Sequence, residues 1–379
     1  MALTIAPVRT RPQLADFITL PCRLYQDMPG YVAPLDYERR MHLDPRKSPF
    51  FSHGCARYWI AHRDHRPVGR ISAQIDFLAD GPGSREIGLF GCLDAIDDGE
   101  VVATLLGTAE DWLRERGKRL VRGPFLLSIN GETGLLVDGQ TEPPMSMMPW
   151  HPRYLKGRLW ESGYRLAKSL YSYVLDLQSI DVAHHIRLLG LDRNRPEFVL
   201  RGLRLGELDS EARIATRLFN DAWRHNWGFT PLTDVEVQTA MRRSRPFLFP
   251  YCATFVEYRG EPVSIYLVTP NLFEITADLG NAPSILGWIR FAVRVLRKRY
   301  RSCRILLFGV SSRYRNSVAG AAIAATVIGN NLLAAQSLET RLFEAGWILE
   351  DNQPTIDILE RFNFRRARSY GVYEKSLTD

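Results

Sequence analysis

Two stretches of this chain, 200 residues apart, repeat one another. Segment 161–177, ESGYRLAKSLYSYVLDL, aligns without a gap on segment 361–377, RFNFRRARSYGVYEKSL, and five of the aligned pairs are identical. Internal repetition constrains a fold more than any local pattern does, and this period is far too long for a solenoid. We therefore predict two copies of one domain-sized unit within the 379 residues.

Each half of the chain also carries the pattern of a β-hairpin. The patterns cover 56–75 and 253–268, and in both an aromatic strand is followed by a polar turn, Pro-Val and a second strand. Alternation of polar and apolar residues about a turn of this kind is typical of antiparallel strands. The two hairpins therefore support the duplication.

A helix pattern follows the hairpin in each half, at 100–116 and 283–300. Each presents one apolar face, which we expect to be buried, and each leads into a strand. The order hairpin, helix, strand, helix, strand then occurs twice. We predict a first domain at 1–178, a linker at 179–196 and a second domain at 197–379.

Composition narrows the classes of partner and compartment. The formal charge of +7 favours an anionic partner such as a nucleotide phosphate or an acidic membrane face. Nucleic acid is not expected, because no zinc-finger, helix-turn-helix or RNP motif accompanies the charge. The five cysteines are odd in number and form no C-x-x-C pair, which indicates a reducing compartment. We expect a cytoplasmic protein, with peripheral contact at the inner membrane face.

No metal site is expected, since His62 and His65 share a hairpin turn without a third ligand and the pair 184–185 lies in the linker. Segment 318–338 is the least polar long stretch, but Asn330 and Asn331 interrupt it. We expect a buried helix there rather than a membrane span.

A polar corner near the C-terminus is the first candidate site. The apolar run Trp347 to Leu349 predicts a buried strand, and Pro354 suits the first turn of the helix that follows. Between them lie Glu350, Asp351 and Asn352. Open α/β sheets bind their ligands at the edge where such strands end.

Four motifs, taken in order, carry a family resemblance: GPFLLSINGETGLL at 123–136, PPMSMMP at 143–149, NWGFTP at 226–231 and GWILEDN at 346–352. With the repeated order of elements, they resemble the duplicated GNAT-fold acyl-CoA N-acyltransferases of bacteria, a group that includes bacterial ceramide synthases. The resemblance implies an α/β fold with mixed sheets in tandem GNAT-like domains. It also implies transfer of an acyl group from acyl-CoA to an amine, such as a long-chain sphingoid-type amine.

GNAT enzymes bind the pyrophosphate of CoA at a turn that opens a helix after the fourth strand, where amides and the helix dipole attract anions. Here the matching turn is 311–320, SSRYRNSVAG, with Val318 standing where the family often has glycine. A plain solvated arginine loop is the alternative. The first copy shows no arginine pair after 120–125, so we expect it to have lost CoA binding. The residues that the resemblance assigns to CoA are Val310, Arg313, Tyr314, Arg315, Gly320 and Asn352.

The resemblance implies direct attack of an amine on a thioester, which requires a base for the amine and an acid for the leaving thiolate. The candidate bases are Glu350, Asp351 and Asp278. The alternative for the first two is helix capping. Tyr370 is the preferred acid, because Tyr373 is repeated as Tyr173 and is therefore expected to be architectural.

Two further groups are candidates for the acceptor side. His225, Asn226 and Trp227 lie in a loop expected to face the cleft, although a histidine in a loop is more often a simple hydrogen-bonding group. Thr233 in the same region has the spacing of a capping box with Glu236. Met147 belongs to a cluster that either lines an alkyl channel or packs the loop, and the other members are Met145, Met148 and Trp150.

Two other functions stay open from the sequence. The chain could be a GNAT-like binding module without activity, its phosphate turn altered by Val318. It could also be an aminoacyl-tRNA-dependent transferase, since tandem GNAT folds serve that chemistry too.

Overall fold

The computed structural model describes residues 2–79, 83–188, 197–248, 252–315, 317–337 and 340–378. The strands are β1 (Leu3–Pro7), β2 (Gly54–Arg63), β3 (Arg66–Asp76), β4 (Ile87–Ala95), β5 (Leu120–Gly123), β6 (Leu135–Asp138), β7 (Arg165–Asp176), β8 (Phe198–Gly202), β9 (Ala253–Tyr258), β10 (Glu261–Pro270), β11 (Ser302–Val310), β12 (Leu342–Leu349) and β13 (Arg365–Ser376).

The helices are α1 (Arg11–Tyr25), α2 (Asp36–Leu43), α3 (Gly99–Arg114), α4 (Tyr154–Glu161), α5 (Val182–Leu188), α6 (Leu208–Trp223), α7 (Asp234–Ser244), α8 (Leu272–Thr276), α9 (Ile285–Arg297), α10 (Val318–Ser337) and α11 (Gln353–Arg361). The predicted linker, 179–196, contains α5, and its last eight residues, 189–196, lie outside the described residues.

The chain divides into two compact units. Unit 1 comprises Met1–Tyr171, Thr276–Gly287 and Arg368–Asp379, and unit 2 comprises Ser172–Ile275 and Trp288–Ala367. The mixed α/β class expected from the sequence is confirmed, since both units combine antiparallel and parallel strands with helices.

In unit 1 the strands follow the order β1-β2-β3-β4-β5-β13, with β6 also paired to β13. Strands β1 to β4 form an antiparallel meander, β5 is parallel to β4, and β13 is antiparallel to β5. The core of the unit lies between these strands and α3, and its buried members include Ile71, Phe90 and Leu105.

In unit 2 the strands follow the order β8-β9-β10-β11-β12-β7. Strands β8 to β11 are antiparallel and β12 is parallel to β11, as in unit 1. The core packs α6 against the sheet through residues such as Leu218, Phe255 and Ile265. The same order of five strands therefore occurs twice, as the repeat predicted.

The sixth strand of each unit comes from the other copy in the sequence. Strand β13, at the end of the second copy, pairs with β5 through Tyr373–Gly123 and Ser376–Leu120. Strand β7, at the end of the first copy, neighbours β12, and its Asp176 carboxylate pairs with Arg341 at 2.8 Å. The C-terminal parts of the two repeated segments, 172–177 and 368–377, are thus exchanged between the units.

The prediction that the helices at 100–116 and 283–300 are equivalent in the two copies is wrong. No strand was expected between 75 and 100, yet β4 lies there and completes the meander before α3. In unit 2 the strand equivalent to β4 is β11, and the helix equivalent to α3 is α10. Helix α9 therefore has no counterpart in the first copy. It belongs to an insertion, 271–301, where the first copy crosses from β3 to β4 through 77–86.

Candidate functional site

The candidate site in unit 2 begins where two parallel strands separate. The register of β11 and β12 runs from Ser302–Leu342 to Ile305–Ala345 and ends there, although both strands continue. Strand β11 keeps its pairing with β10 as far as Val310. The backbone of β11 beyond Ile305 therefore borders a wedge between the two strands.

A buried charged residue lies at the narrow end of the wedge. Arg304 of β11 is almost fully buried, and its Nη2 and Nε donate to the carbonyl oxygen of Gly346 at 2.9 and 3.2 Å. Its guanidinium lies 4.4 Å from the ring centroid of Trp347, within cation–π range. Glu344, opposite Arg304 in the register, is also buried. The signal for this pair in the sequence is one charged residue in each of the apolar strands RILLFGV and FEAGWIL, and no role was predicted for either.

The turn expected to bind pyrophosphate lies at the wide end, after Val310. Arg313 and Arg315 are both exposed there. An added Cβ at Gly320 would meet the carbonyl oxygen of Tyr314 at 2.0 Å, so the turn requires glycine at that position. Val318 opens α10 with its side chain 88% exposed.

Several backbone amides of this turn have partners within the chain. The N–H of Gly320 donates to Ser317 Oγ at 3.1 Å, and that of Ala321 to the Ser317 carbonyl. The N–H and hydroxyl of Ser312 donate to the Asp221 carboxylate at 2.7 and 2.5 Å. Burial alone would raise the pKa of Asp221, but the hydrogen bonds from the serines more than offset this and lower it.

Helix α6 and the loop after it form a neighbouring wall of unit 2. Trp223 packs so closely on β11 that an added Cβ at Gly309 would meet its ring at 2.4 Å. Asn220 bonds both backbone groups of Leu232 at 2.9 Å, which fastens the NWGF loop to α6. Within that loop His225 is exposed, and Asn226 and Trp227 are half-buried.

The three residues of the polar corner after β12 have different roles. Glu350 and Asp351 are exposed, while the Asn352 side chain accepts the N–H of Thr355 at 3.4 Å and caps α11. The cap predicted as an alternative for the two acids is therefore supplied by the asparagine. Glu350 ends up at the same strand-end edge as Val310 and the arginine turn.

Three other predicted site residues belong to unit 1 rather than unit 2. Asp278 lies in the segment Thr276–Gly287, which is part of unit 1. In this segment Asn281 Nδ2 donates to the Asp36 carboxylate at 2.9 Å. Tyr370 is fully buried in β13, opposite Leu136 of β6. Met147 is partly exposed at a positive φ of 62°, beside buried Met145 and Met148.

The first copy has an acidic turn at the place equivalent to the arginine turn. Because β4 corresponds to β11, the equivalent turn is 96–99 and not the segment after β5 that the sequence analysis compared. Asp98 caps α3 by accepting the N–H of Val101 at 3.1 Å. Arg158 pairs with Asp97 at 2.8 Å. A carboxylate at the helix N-terminus repels a pyrophosphate and takes one of its donors.

Unit 1 contains a cluster of largely buried charged residues for which no role was predicted from the sequence. Arg39 of α2 pairs with Glu132 of the GETG motif at 2.5 Å, and Arg70 pairs with Asp94 at 2.8 Å. Burial would raise the pKa of Glu132, but the charge and hydrogen bond of Arg39 more than offset this and lower it. The only sequence signal was Glu132 within a glycine-rich loop.

The described residues contain neither a metal-binding cluster nor a membrane-spanning helix. No group of three or more His, Cys, Asp or Glu side chains in this part of the chain is placed to hold a metal ion. None of the helices built from these residues is both long and apolar enough to cross a bilayer.

Two relatives are similar to this chain along nearly their whole length. The chain is 37% identical to the bacterial ceramide synthase of Caulobacter vibrioides over 377 residues, which are 99% of this chain and 98% of that protein. It is 33% identical to protein YghO of Escherichia coli K12 over 367 residues, 96% of this chain and 93% of that protein. No protein-family model matches the chain.

Solved structures share the fold at low identity. A tandem GNAT protein from the clavulanic acid biosynthesis pathway superimposes with a TM-score of 0.61 at 13% identity, covering 100% of this chain and 99% of that one. A GCN5-related N-acetyltransferase from Sphaerobacter thermophilus gives 0.53 at 12% identity, covering 99% and 96%. The relatives of 37% and 33% identity along nearly the whole chain, together with this shared fold, show that the chain belongs to the duplicated GNAT family of bacterial N-acyltransferases.

Proposed function

We propose that this acyltransferase moves a fatty acyl group from acyl-CoA to the amino group of a sphingoid-type lipid, using unit 2 for the acyl donor. The observation that carries the proposal is the wedge between β11 and β12, which opens directly onto the arginine turn. The acceptor class rests on the ceramide synthase from Caulobacter vibrioides, a relative along nearly the whole chain. Such an acceptor would be met at the inner membrane face.

The wedge suits the pantetheine arm of CoA. An extended chain of amides can add to an open strand edge through main-chain hydrogen bonds, and β11 beyond Ile305 offers such an edge. The arm would run toward Val310, and its pyrophosphate would reach the turn that follows. The thioester would then lie further into the wedge than the pyrophosphate.

The phosphates would be held mainly by side chains. The amides of Ser312, Gly320 and Ala321 already have partners in the chain. Arg313 and Arg315 are exposed at the same turn, and arginine forms strong, charge-assisted hydrogen bonds with phosphate. We therefore assign the pyrophosphate contacts to these two arginines.

The reaction forms an amide and releases CoA. The neutral amine attacks the thioester carbon, the C–N bond forms, and the C–S bond of the tetrahedral intermediate then breaks. Glu350 would take the proton that the amine loses, because it is an exposed carboxylate at the strand-end edge of unit 2. The CoA thiolate must gain a proton on leaving, and the acid predicted for this step from the sequence, Tyr370, lies fully buried in unit 1.

A matched panel of substrates tests the proposal. We expect transfer from palmitoyl-CoA to sphinganine, followed by mass spectrometry, and much slower transfer from acetyl-CoA to small polar amines such as spermidine. Activity with acetyl-CoA and small amines alone would eliminate the lipid acceptor.

Variants separate the assigned roles. Arg313→Gln with Arg315→Gln should weaken acyl-CoA binding by roughly ten-fold or more, seen as a smaller thermal shift on adding ligand. Arg217→Gln, at an exposed arginine of α6, is the matched control.

Glu350→Gln should lower kcat at nearly unchanged stability, whereas Asn352→Ala should lower the free energy of unfolding by about 1 kcal/mol. Full turnover of Glu350→Gln would remove Glu350 as the base.

A further inference from the structure

Helix α9 exposes apolar side chains that the sequence pattern predicted to be buried. Ile285 is 83% exposed, Leu296 79% and Ile289 55%. The helix is anchored by a different, narrower stripe, in which Gly287 and Val295 are buried and Phe291 packs against Phe247 with ring centroids 5.9 Å apart. A face of aliphatic side chains therefore points to solvent, while Phe291 packs against the protein.

The exposed residues form one continuous face. At about 100° per residue, Ile285, Ile289, Val293 and Leu296 fall within roughly one quarter of the helix circumference. Arg290 and Arg297 occupy the next strip around the helix, and both are exposed. An apolar face bordered by arginines is the pattern of a helix that lies in the plane of a membrane interface.

All charged residues of the helix and of the short segment that follows it are basic. No Asp or Glu occurs between 284 and 301, whereas this stretch contains six cations: Arg290, Arg294, Arg297, Lys298, Arg299 and Arg301. Each basic residue near an anionic bilayer adds favourable free energy, so this segment complements such a surface.

A basic cavity of about 300 Å³ lies at the C-terminal end of α9. Its lining residues are Glu274, Ile275, Arg294, Arg297, Arg299, Tyr300 and Arg301. Glu274 is engaged by the backbone N–H groups of Arg301 and Ser302 at 3.0 Å. Tyr300 is only 3% exposed, and its hydroxyl has no hydrogen-bond partner among the described residues. A phosphate oxygen would supply that partner.

This cavity is separate from the proposed CoA turn. Tyr300 and Arg301 precede the first residue of β11, and the turn follows the last. The nine residues of the strand place roughly 26 Å between its ends. The cavity arginines are therefore not further ligands of the same pyrophosphate.

We propose that α9 docks the protein on an anionic bilayer, with its exposed apolar face in the interface and a lipid phosphate in the basic cavity. The insertion that contains α9 is absent from the first copy, where 77–86 connect the equivalent strands. The fold therefore does not require the helix. This inference rests on the proposed function in one respect: docking would bring the enzyme to an acceptor that resides in the membrane.

Vesicle flotation of the full-length protein tests the docking. We expect the protein to float with vesicles of phosphatidylcholine mixed with phosphatidylglycerol, to remain behind with phosphatidylcholine alone, and to be released by salt. Ile289→Ser with Leu296→Ser should reduce flotation by more than ten-fold. Arg297→Gln with Arg299→Gln should reduce it by about five-fold for each arginine.

Matched controls identify the surface. Val235→Ser, at an exposed valine of α7, and Arg217→Gln on α6 should float as the parent does. Unchanged flotation of the Ile289→Ser, Leu296→Ser protein would overturn the proposal. So would a dimer in sedimentation velocity that this variant converts to a monomer, with no vesicle binding by the parent.

Failure of docking and failure of acyl transfer can be told apart. Flotation is measured without an acyl donor, and transfer to a short-chain, water-soluble amine needs no vesicle. We expect the α9 variants to transfer acyl groups to this soluble amine as fast as the parent protein does.

Discussion

The Asp221 carboxylate shows how residue-scale contacts define the proposed donor site. It accepts both the N–H and the hydroxyl of Ser312, so it fixes the start of the turn that carries Arg313 and Arg315. The two arginines were predicted from the resemblance of their turn to the CoA-binding turn of GNAT enzymes. The sequence could not identify Asp221, which lies about ninety residues upstream on α6.

His151 of unit 1 should make the stability of the protein depend on pH. The imidazole is 7% exposed, and its Nδ1 accepts the N–H of Leu136 at 3.2 Å. Burial, aided by the charge of Arg70, lowers the pKa of His151 against the opposing effects of Asp94 and Glu132. The unfolded chain then binds a proton before the folded one does as pH falls below about 6.5.

His151 should therefore reduce the free energy of unfolding as pH falls from about 6.5 to its folded pKa, by at most about 1.4 kcal/mol per pH unit. His151→Asn keeps an acceptor for Leu136 and cannot titrate, so its urea unfolding should show a flatter dependence on pH in that window. His65→Asn, at an exposed turn residue with a positive φ of 63°, is the control. An equal slope in the parent and in His151→Asn would contradict the assignment.

At the scale of elements, turns and caps were the most predictable features. Both hairpins predicted from the sequence are confirmed, with left-handed residues at Asp64–His65 and Arg259–Gly260. Such pairs match the twist of antiparallel strands, so two-residue turns of this composition are readable locally. The capping box of Thr233 and Glu236 is confirmed as well.

The strand and helix that were misassigned lacked a local signal. Strand β4, IGLFGCLDA, has an apolar run interrupted by two glycines, so periodicity did not separate it from a loop. Helix α9 has a clear apolar face, but periodicity alone does not say whether protein or solvent covers that face.

The contact between α6 and β11 should tolerate almost no added volume. Gly309→Ala would place a methyl group 2.4 Å from the Trp223 ring and 3.1 Å from Ala222 Cβ. We expect a loss of about 1–3 kcal/mol in unfolding free energy and weaker acyl-CoA binding, because α6 carries Asp221. Gly206→Ala, where nothing lies within 4 Å of the added Cβ, is the control for chemical denaturation. Equal stability of the two variants would show that α6 moves freely.

At the scale of the whole molecule, the sequence predicted the duplication but not the exchange of strands. Segments 161–177 and 361–377 have nearly the same pattern of side chains, so either would fit the sixth position of either sheet. Only the three-dimensional pairing distinguishes them, because Tyr373 packs in the core of unit 1 with Phe90 and Val121. The family and fold class were predictable from ordered motifs, whereas this pairing depends on contacts distant in sequence.

Substituting the two repeated tyrosines, Tyr173 and Tyr373, one at a time tests the exchange of strands. Tyr373→Ala should remove buried area from unit 1 and lower its stability by about 3–5 kcal/mol. Hydrogen exchange should then rise in residues 87–123, which lie in the first copy. Tyr173→Ala should instead affect residues 342–349 of unit 2. If each variant loosened its own half of the sequence, the exchange would be wrong.

The exchanged strands bear on the history of this gene. An ancestor with one copy had to complete its sheet by itself, or with a second identical chain. Once the final strands had traded places, neither half could be deleted without leaving the survivor one strand short. The first copy, with its acidic turn at 96–99, therefore cannot be lost without removing β7 from the sheet of unit 2. If unit 2 alone binds the coenzyme, as we propose, the first copy is still needed for that strand.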